Sequence, residues 1–132
     1  MDDKKYFFLL IDDDSINNLV CESLLKKIAL GSVVKSFLKA QDALEYLADA
    51  PVQESVLLLD INMPEMDGWE FLELFIKHHP QHHQASKVFI LSSSIDKSDF
   101  EKAKSYPSVL DYVVKPLNKA KIEELLQKVE IA

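Results

Sequence analysis

The feature that most constrains this chain is a fivefold alternation of short apolar runs with longer amphipathic stretches. Tyr6 to Ile11 (YFFLLI), Val33 to Leu38, Val56 to Leu59, Val88 to Leu91 and Val109 to Val114 read as strands. The first, third and fourth are almost continuously apolar, as strands covered on both faces must be. Strands separated by helix-length stretches favour a parallel sheet wrapped by helices, because parallel neighbours need a long crossover connection.

Five helices are expected between and after these strands. In the first, Ile16, Val20, Leu24 and Ile28 recur every four residues and predict its buried stripe, with Ser15 as N-cap and Gly31 as terminator. The second runs from about Ala40 to Ala48, with Ala43, Leu44 and Leu47 inward. Asp67 and Gly68 open a third, which carries Phe71, Leu72, Phe75 and Ile76 and stops before Pro80. Residues Asp96 to Tyr106 form the least apolar segment, anchored only by Phe100, Ala103 and Tyr106, so this helix is expected to be weakly held. Asn118 caps the last, whose inward residues are Ile122, Leu125, Leu126 and Val129.

Length and composition set limits on function. With 132 residues, of which 48% are hydrophobic, residues 1–132 read as one globular domain. A net charge of −7 has the wrong sign for gripping a nucleic-acid backbone. A membrane helix needs about 20 consecutive apolar residues, and no run in the chain approaches that. The lone Cys21 can form no internal disulfide and reads as packing, and no secretory leader opens the chain, so a cytoplasmic location is expected. Only Gly31 and Gly68 are available, too few for a P-loop or a dinucleotide-binding fingerprint. His78, His79, His82 and His83 straddle Pro80 in a polar stretch without Cys or acidic ligands, which favours a solvated loop over a zinc site.

Chemistry is expected at the carboxyl ends of the strands, where the loops of an open parallel sheet converge. Asp12, Asp13 and Asp14 follow the first strand, Asp60 the third, Ser92 the fourth, and Lys115 with Pro116 the fifth. If the first and third strands are neighbours, several carboxylates crowd together, and two such charges 4 Å apart repel by about 4 kcal/mol at an effective dielectric of 20. A hard divalent cation relieves that repulsion, and two carboxylates with open positions suit Mg²⁺. Asp60 then reads as a nucleophile toward a phosphoryl donor, Lys115 as a compact cation that meets the incoming charge, and Ser92 as a hydroxyl that donates to the group once it arrives.

These residues, in this order, resemble the response-regulator receiver family. The acidic pair appears as Asp12-Asp13, and the phosphoacceptor motif as Asp60-Ile61-Asn62-Met63-Pro64-Glu65-Met66-Asp67-Gly68. The strand-four hydroxyl is Ser92 followed by the small Ser93, the strand-five aromatic is Tyr112, and the Lys-Pro pair is Lys115-Pro116. The resemblance runs from about Tyr6 to Val129. It implies a doubly wound, flavodoxin-like five-stranded sheet in the order 2-1-3-4-5 with helices on both faces. It also implies Mg²⁺ held by Asp13, Asp60 and the backbone carbonyl of Asn62, with Asp12 assisting through water, and a cis Lys115-Pro116 peptide. Phosphorylation of Asp60 by a histidine kinase or histidine phosphotransfer protein is implied to shift Ser92 and Tyr112 together, the domain catalysing only its own phosphoryl transfer and dephosphorylation.

The residues admit some alternatives. A shift of the working acidic pair to Asp13 and Asp14 is compatible with the residues alone. The chain has Pro107, Ser108 and Val109 where the family commonly has glycine, so the turn into the fifth strand is expected to differ. An interaction module that kept the fold and lost the switch is a competing function, although every position needed for phosphorylation is filled. A hydrolase of the haloacid dehalogenase type fits less well, since Asn62 stands where that chemistry wants a second acid. With no output module in sight, the signal is expected to leave through the Asp96 to Tyr106 segment and the fifth strand. Trp69, the single tryptophan, is expected near the site at the start of the third helix.

Overall fold

A computed structural model describes residues 5–93 and 96–132. Five strands, β1 (Phe7–Ile11), β2 (Val33–Phe37), β3 (Ser55–Asp60), β4 (Ser86–Ser92) and β5 (Val109–Val114), form one parallel sheet in the order β2-β1-β3-β4-β5. Between them lie α1 (Ser15–Ile28), α2 (Ala40–Asp49), α3 (Gly68–His78), α4 (Pro80–Gln84), α5 (Lys97–Lys104) and α6 (Lys119–Ile131). The order reverses between β1 and β3, and the crevice at such a switch point is where a doubly wound sheet binds ligands.

Each central strand feeds two cores, because successive side chains point to opposite faces. Leu9, Ile11, Leu57, Leu59, Val88 and Ile90 pack on one side with Ala43, Leu47, Phe71, Leu72 and Phe75 of α2 and α3. Phe8, Leu10, Val56, Leu58, Phe89 and Leu91 pack on the other with Cys21 and Leu25 of α1 and Ile122, Leu125 and Val129 of α6. This is why the strand sequences are apolar throughout instead of alternating.

The structure corrects several expectations. In α1 the buried residues are Asn18, Cys21 and Leu25, whereas Ile16 and Val20 lie exposed. The helix has two apolar stripes, and the buried one includes a polar asparagine, so apolar spacing alone favoured the wrong face at its start. Its N-cap is Asp14, not Ser15, with the carboxylate accepting the amide protons of Ile16 and Asn17. Gly31 stands in the turn after α1 at φ 84°, a left-handed conformation that glycine adopts without steric cost.

Six helices are present among the described residues instead of five. The additional α4 opens on Pro80, whose fixed φ suits a first helical position. It takes two of the four histidines out of the expected loop: His82 Nε2 donates to the Ala50 carbonyl at 3.0 Å, and His83 Nε2 lies 2.7 Å from Ser108 Oγ. The turn into β5 carries a register shift, Val88 pairing with Val109 and Phe89 with Asp111, so Leu110 is an extra residue in that ladder.

Gly68 fixes how closely α3 approaches the end of β3. A Cβ placed there would come within 2.7 Å of the Asp60 carbonyl oxygen and 2.8 Å of the Ile61 Cα, both main-chain atoms with little freedom to retreat. Gly68→Ala is therefore expected to cost about 1–3 kcal/mol of stability, the usual range for overpacking. Urea unfolding checks this, and an unchanged midpoint would contradict it.

Candidate functional site

β1 and β3 are direct neighbours, with Ile11 opposite Leu59, so the residues that follow them meet at one edge of the sheet. Asp12 is fully buried and Asp60 is 3% exposed, while Asp13 opens to solvent. One carboxylate oxygen from each of Asp12, Asp13 and Asp60 falls within 4.8 Å of the other two. Asp14 is not among them. Its carboxylate is committed to capping α1, which makes Asp12 and Asp13 the acids that converge on Asp60.

Lys115 holds this arrangement together. Its Nζ lies 2.9 Å from Asp12 Oδ2 and 3.6 Å from Asp60 Oδ2. The backbone delivers it there: the Lys115 amide donates to the Ser92 carbonyl at 2.7 Å, and the following peptide to Pro116 is cis. Burial works against the Lys115 ammonium, but its hydrogen bond to Asp12 and the charges of Asp12, Asp60 and Asp14 outweigh it and hold the pKa above the ordinary lysine value. The ammonium is thereby committed to the charged form.

Burial pushes the Asp60 carboxyl up to about 6, and the charge of Asp12 adds to the rise. The Asn62 amide, donating to Asp60 Oδ1 at 3.1 Å, and Lys115 pull in the opposite direction. One lysine thus leaves the carboxylates short of positive charge. A hard cation fits that deficit: the donors are oxygens, two are held rigidly by burial, and the third faces solvent, which leaves positions open.

Of the remaining residues singled out in the sequence, Ser92 is fully buried at the end of β4, with Asn62 Nδ2 3.5 Å from its Oγ. Tyr112 is half-buried in β5, its ring edge-on to Phe100 of α5 at 5.9 Å. Trp69 follows Gly68 and turns into the seam between α3 and α5. Its Nε1 donates to Asp99 Oδ1 at 3.1 Å, its ring stacks on Tyr106, and Lys102 Nζ lies 5.1 Å from its ring centre.

Two residues escaped the sequence reading. Asn17 Nδ2 donates to Asp12 Oδ2 at 2.8 Å, and Asn18 Nδ2 donates to the Asp12 carbonyl at 2.9 Å. The signal that could have found them is Asn18 itself, a polar residue at a buried helical position just after an acidic triplet.

Asp60 also makes the site unstable on its own. A carboxyl whose folded pKa lies above its unfolded value near 3.8 loses stability as pH rises from about 4 through about 6, and that loss persists in full at higher pH. Asp60→Asn is expected to raise the melting temperature of the metal-free protein near neutral pH by roughly 5 °C, with the gain vanishing below about pH 4. Thermal unfolding across this range checks it, and a variant no more stable than the parent at neutral pH would contradict it.

A model of the response regulator receiver domain matches residues 8–127. The chain is 33% identical to a two-component response regulator from Cytophaga hutchinsonii, with a TM-score of 0.87 over 98% of this chain and 100% of that one. A response regulator receiver protein from Dyadobacter fermentans gives 30% identity and a TM-score of 0.82, over 95% and 97% of the two chains. Among curated proteins it is 33% identical to a probable cyclic di-GMP phosphodiesterase of Vibrio cholerae, over 89% of this chain but 25% of that protein. The chain spans about a third or less of the curated relatives it matches first. The matched span, the strand order and the acidic edge agree, and the chain belongs to the response regulator receiver family.

Proposed function

We propose that residues 1–132 act as one receiver unit of a phosphorelay, accepting a phosphoryl group on Asp60 from a phosphohistidine donor in the cytoplasm. The observation that carries this reading is the convergence of Asp12, Asp13 and Asp60 on one point with Lys115 Nζ set between Asp12 and Asp60. Receiver domains bind Mg²⁺ at such a cluster. Asp13, Asp60 and the Asn62 carbonyl would hold the ion here, with Asp12 acting through water, and the ion would supply positive charge to phosphoryl oxygens.

In the transfer step an Asp60 carboxylate oxygen forms a bond to phosphorus while the N–P bond of the donor histidine breaks. The bonding pair leaves with the imidazole nitrogen, which takes a proton from solvent. Lys115 offsets charge gathering on the transferred group, and the Ser92 hydroxyl donates to one of its oxygens. The same residues serve hydrolysis of the aspartyl phosphate, so the domain catalyses only its own modification and its reversal.

The mouth of the site also fits a protein donor. Ile16, Leu19 and Val20 share one face of α1, begin just past the capping Asp14, and are 73%, 71% and 49% exposed. An apolar helix face beside an acidic cleft suits a helix that carries the phosphohistidine.

The output side rests on how α5 is held. Ala103 is its one buried residue; the rest of its attachment is polar or aromatic, from Trp69 to Asp99 and Lys102 and, just past its end, to Tyr106, and from Phe100 to Tyr112. Such contacts rearrange at low cost, so a change at Ser92 and Tyr112 can shift α5 and β5 and alter binding of a downstream protein.

Incubation with Mg²⁺ and acetyl phosphate, followed by intact-mass measurement, tests the reading. One phosphoryl adduct is expected in the parent and none in Asp60→Asn or without Mg²⁺. A parent that gains no adduct would refute it. Trp69 fluorescence is expected to change when beryllofluoride is added with Mg²⁺, because the indole bridges α3 and α5. An identical response in the Asp60→Asn protein would show that the signal does not come from the site.

A further inference from the structure

Asp12 is the most heavily hydrogen-bonded acid of the site. Its Oδ1 accepts the Asp14 amide at 2.9 Å, and its Oδ2 accepts both Asn17 Nδ2 at 2.8 Å and Lys115 Nζ at 2.9 Å. The two donors on Oδ2 differ in a way that matters. Lys115 is shared with Asp60, 3.6 Å away, and any negative charge added at Asp60 draws the ammonium toward it. Asn17 is neutral, is anchored in the first turn of α1, and has no competing acceptor among the hydrogen bonds of the described residues.

Asn18 supports the same acid from behind. It is 5% exposed, its Nδ2 holds the Asp12 carbonyl, and its Oδ1 is buried without a hydrogen-bond partner among the described residues. A buried acceptor left unpaired is a cost to folding, and a position in the apolar stripe of α1 would be filled more stably by an aliphatic side chain. Packing does not account for the residue; its grip on Asp12 does.

We infer that Asn17 is a positioning residue for the cation site: its amide fixes the Asp12 carboxylate without adding a positive charge that would oppose the cation. This rests on the receiver reading above for its biological meaning, but its measurable content is Mg²⁺ affinity. A neutral donor orients a carboxylate and leaves its full charge available, whereas lysine in the same place neutralises part of it.

The test is Mg²⁺ titration by calorimetry on the parent, Asn17→Leu, which removes the donor at similar volume, and Asn17→Gln, which keeps an amide. Asn17→Leu is expected to weaken Mg²⁺ binding about tenfold, the size of a lost hydrogen bond to a charged acceptor. Asn17→Gln is expected to recover most of that affinity. In an Asp12→Asn background, with no charged carboxylate to orient, Asn17→Leu is expected to change binding by less than about twofold. Asn17→Ser, too short to span to Asp12, replaces the leucine variant if that one does not fold. Equal affinities in the parent and the donor-less variant would overturn the inference, as would an undiminished effect in the Asp12→Asn background. A parent that binds Mg²⁺ but takes no phosphoryl group from acetyl phosphate would refute the receiver reading and leave this inference standing. A parent that binds no Mg²⁺ would overturn both.

Discussion

Two carboxylates, Asp12 and Asp60, sit almost without solvent at the ends of adjacent strands, and the repulsion between them is the constraint to which the site answers. At separations below 4.8 Å that repulsion is on the order of 3 kcal/mol at an effective dielectric of 20. Lys115 is the only ammonium in ion-pair contact with either acid among the described residues. One positive charge against two buried negative ones, with Asp13 beside them, leaves a deficit that neither burial nor hydrogen bonding removes. The Asp60 carboxyl is raised first by its burial and then by the charge of Asp12. A group that attracts a cation, and through it an anion, is what such a deficit produces.

The rest of the molecule serves to keep that tension from relaxing. Strands that are apolar on both faces lock β1, β3 and β4 between two layers of helices, so the residues at their ends cannot drift apart. Gly68 lets α3 close down on the Asp60 main chain, and the amide of Lys115 is tied to Ser92. The lighter packing lies elsewhere. α5 buries one side chain and hangs on polar and aromatic contacts, so displacing it costs little packing.

Most of this was legible in the sequence because strands buried on both faces and acids at strand ends leave plain marks. All five strands and the crowding of acids at their ends followed from such marks; the strand order came from the family resemblance, and the choice of Asp12 and Asp13 over Asp14 needed the geometry. The first helix misled because α1 carries apolar residues on two faces, of which Ile16, Leu19 and Val20 face solvent while Asn18 faces the core. Spacing reports amphipathicity but not which side is buried when the inward face must carry a polar residue for the site. The short α4 was missed for another reason: four polar residues after a proline have no periodicity to read, and their helix is held by contacts of His82 and His83 to distant residues. The extra residue at Leu110 left no mark either, because a bulge is decided by pairing with β4 and not by the strand's own composition.

Asp12, Asp13 and Asp60 converge around one lysine, an electrostatic deficit that a cation would fill. The most direct measurement is an NMR titration of the Asp60 side-chain carbonyl carbon, with and without Mg²⁺. The account predicts a metal-free midpoint close to 6 that moves below the ordinary aspartate range when Mg²⁺ is present. A metal-free midpoint near 3.8, unchanged by Mg²⁺, would contradict it.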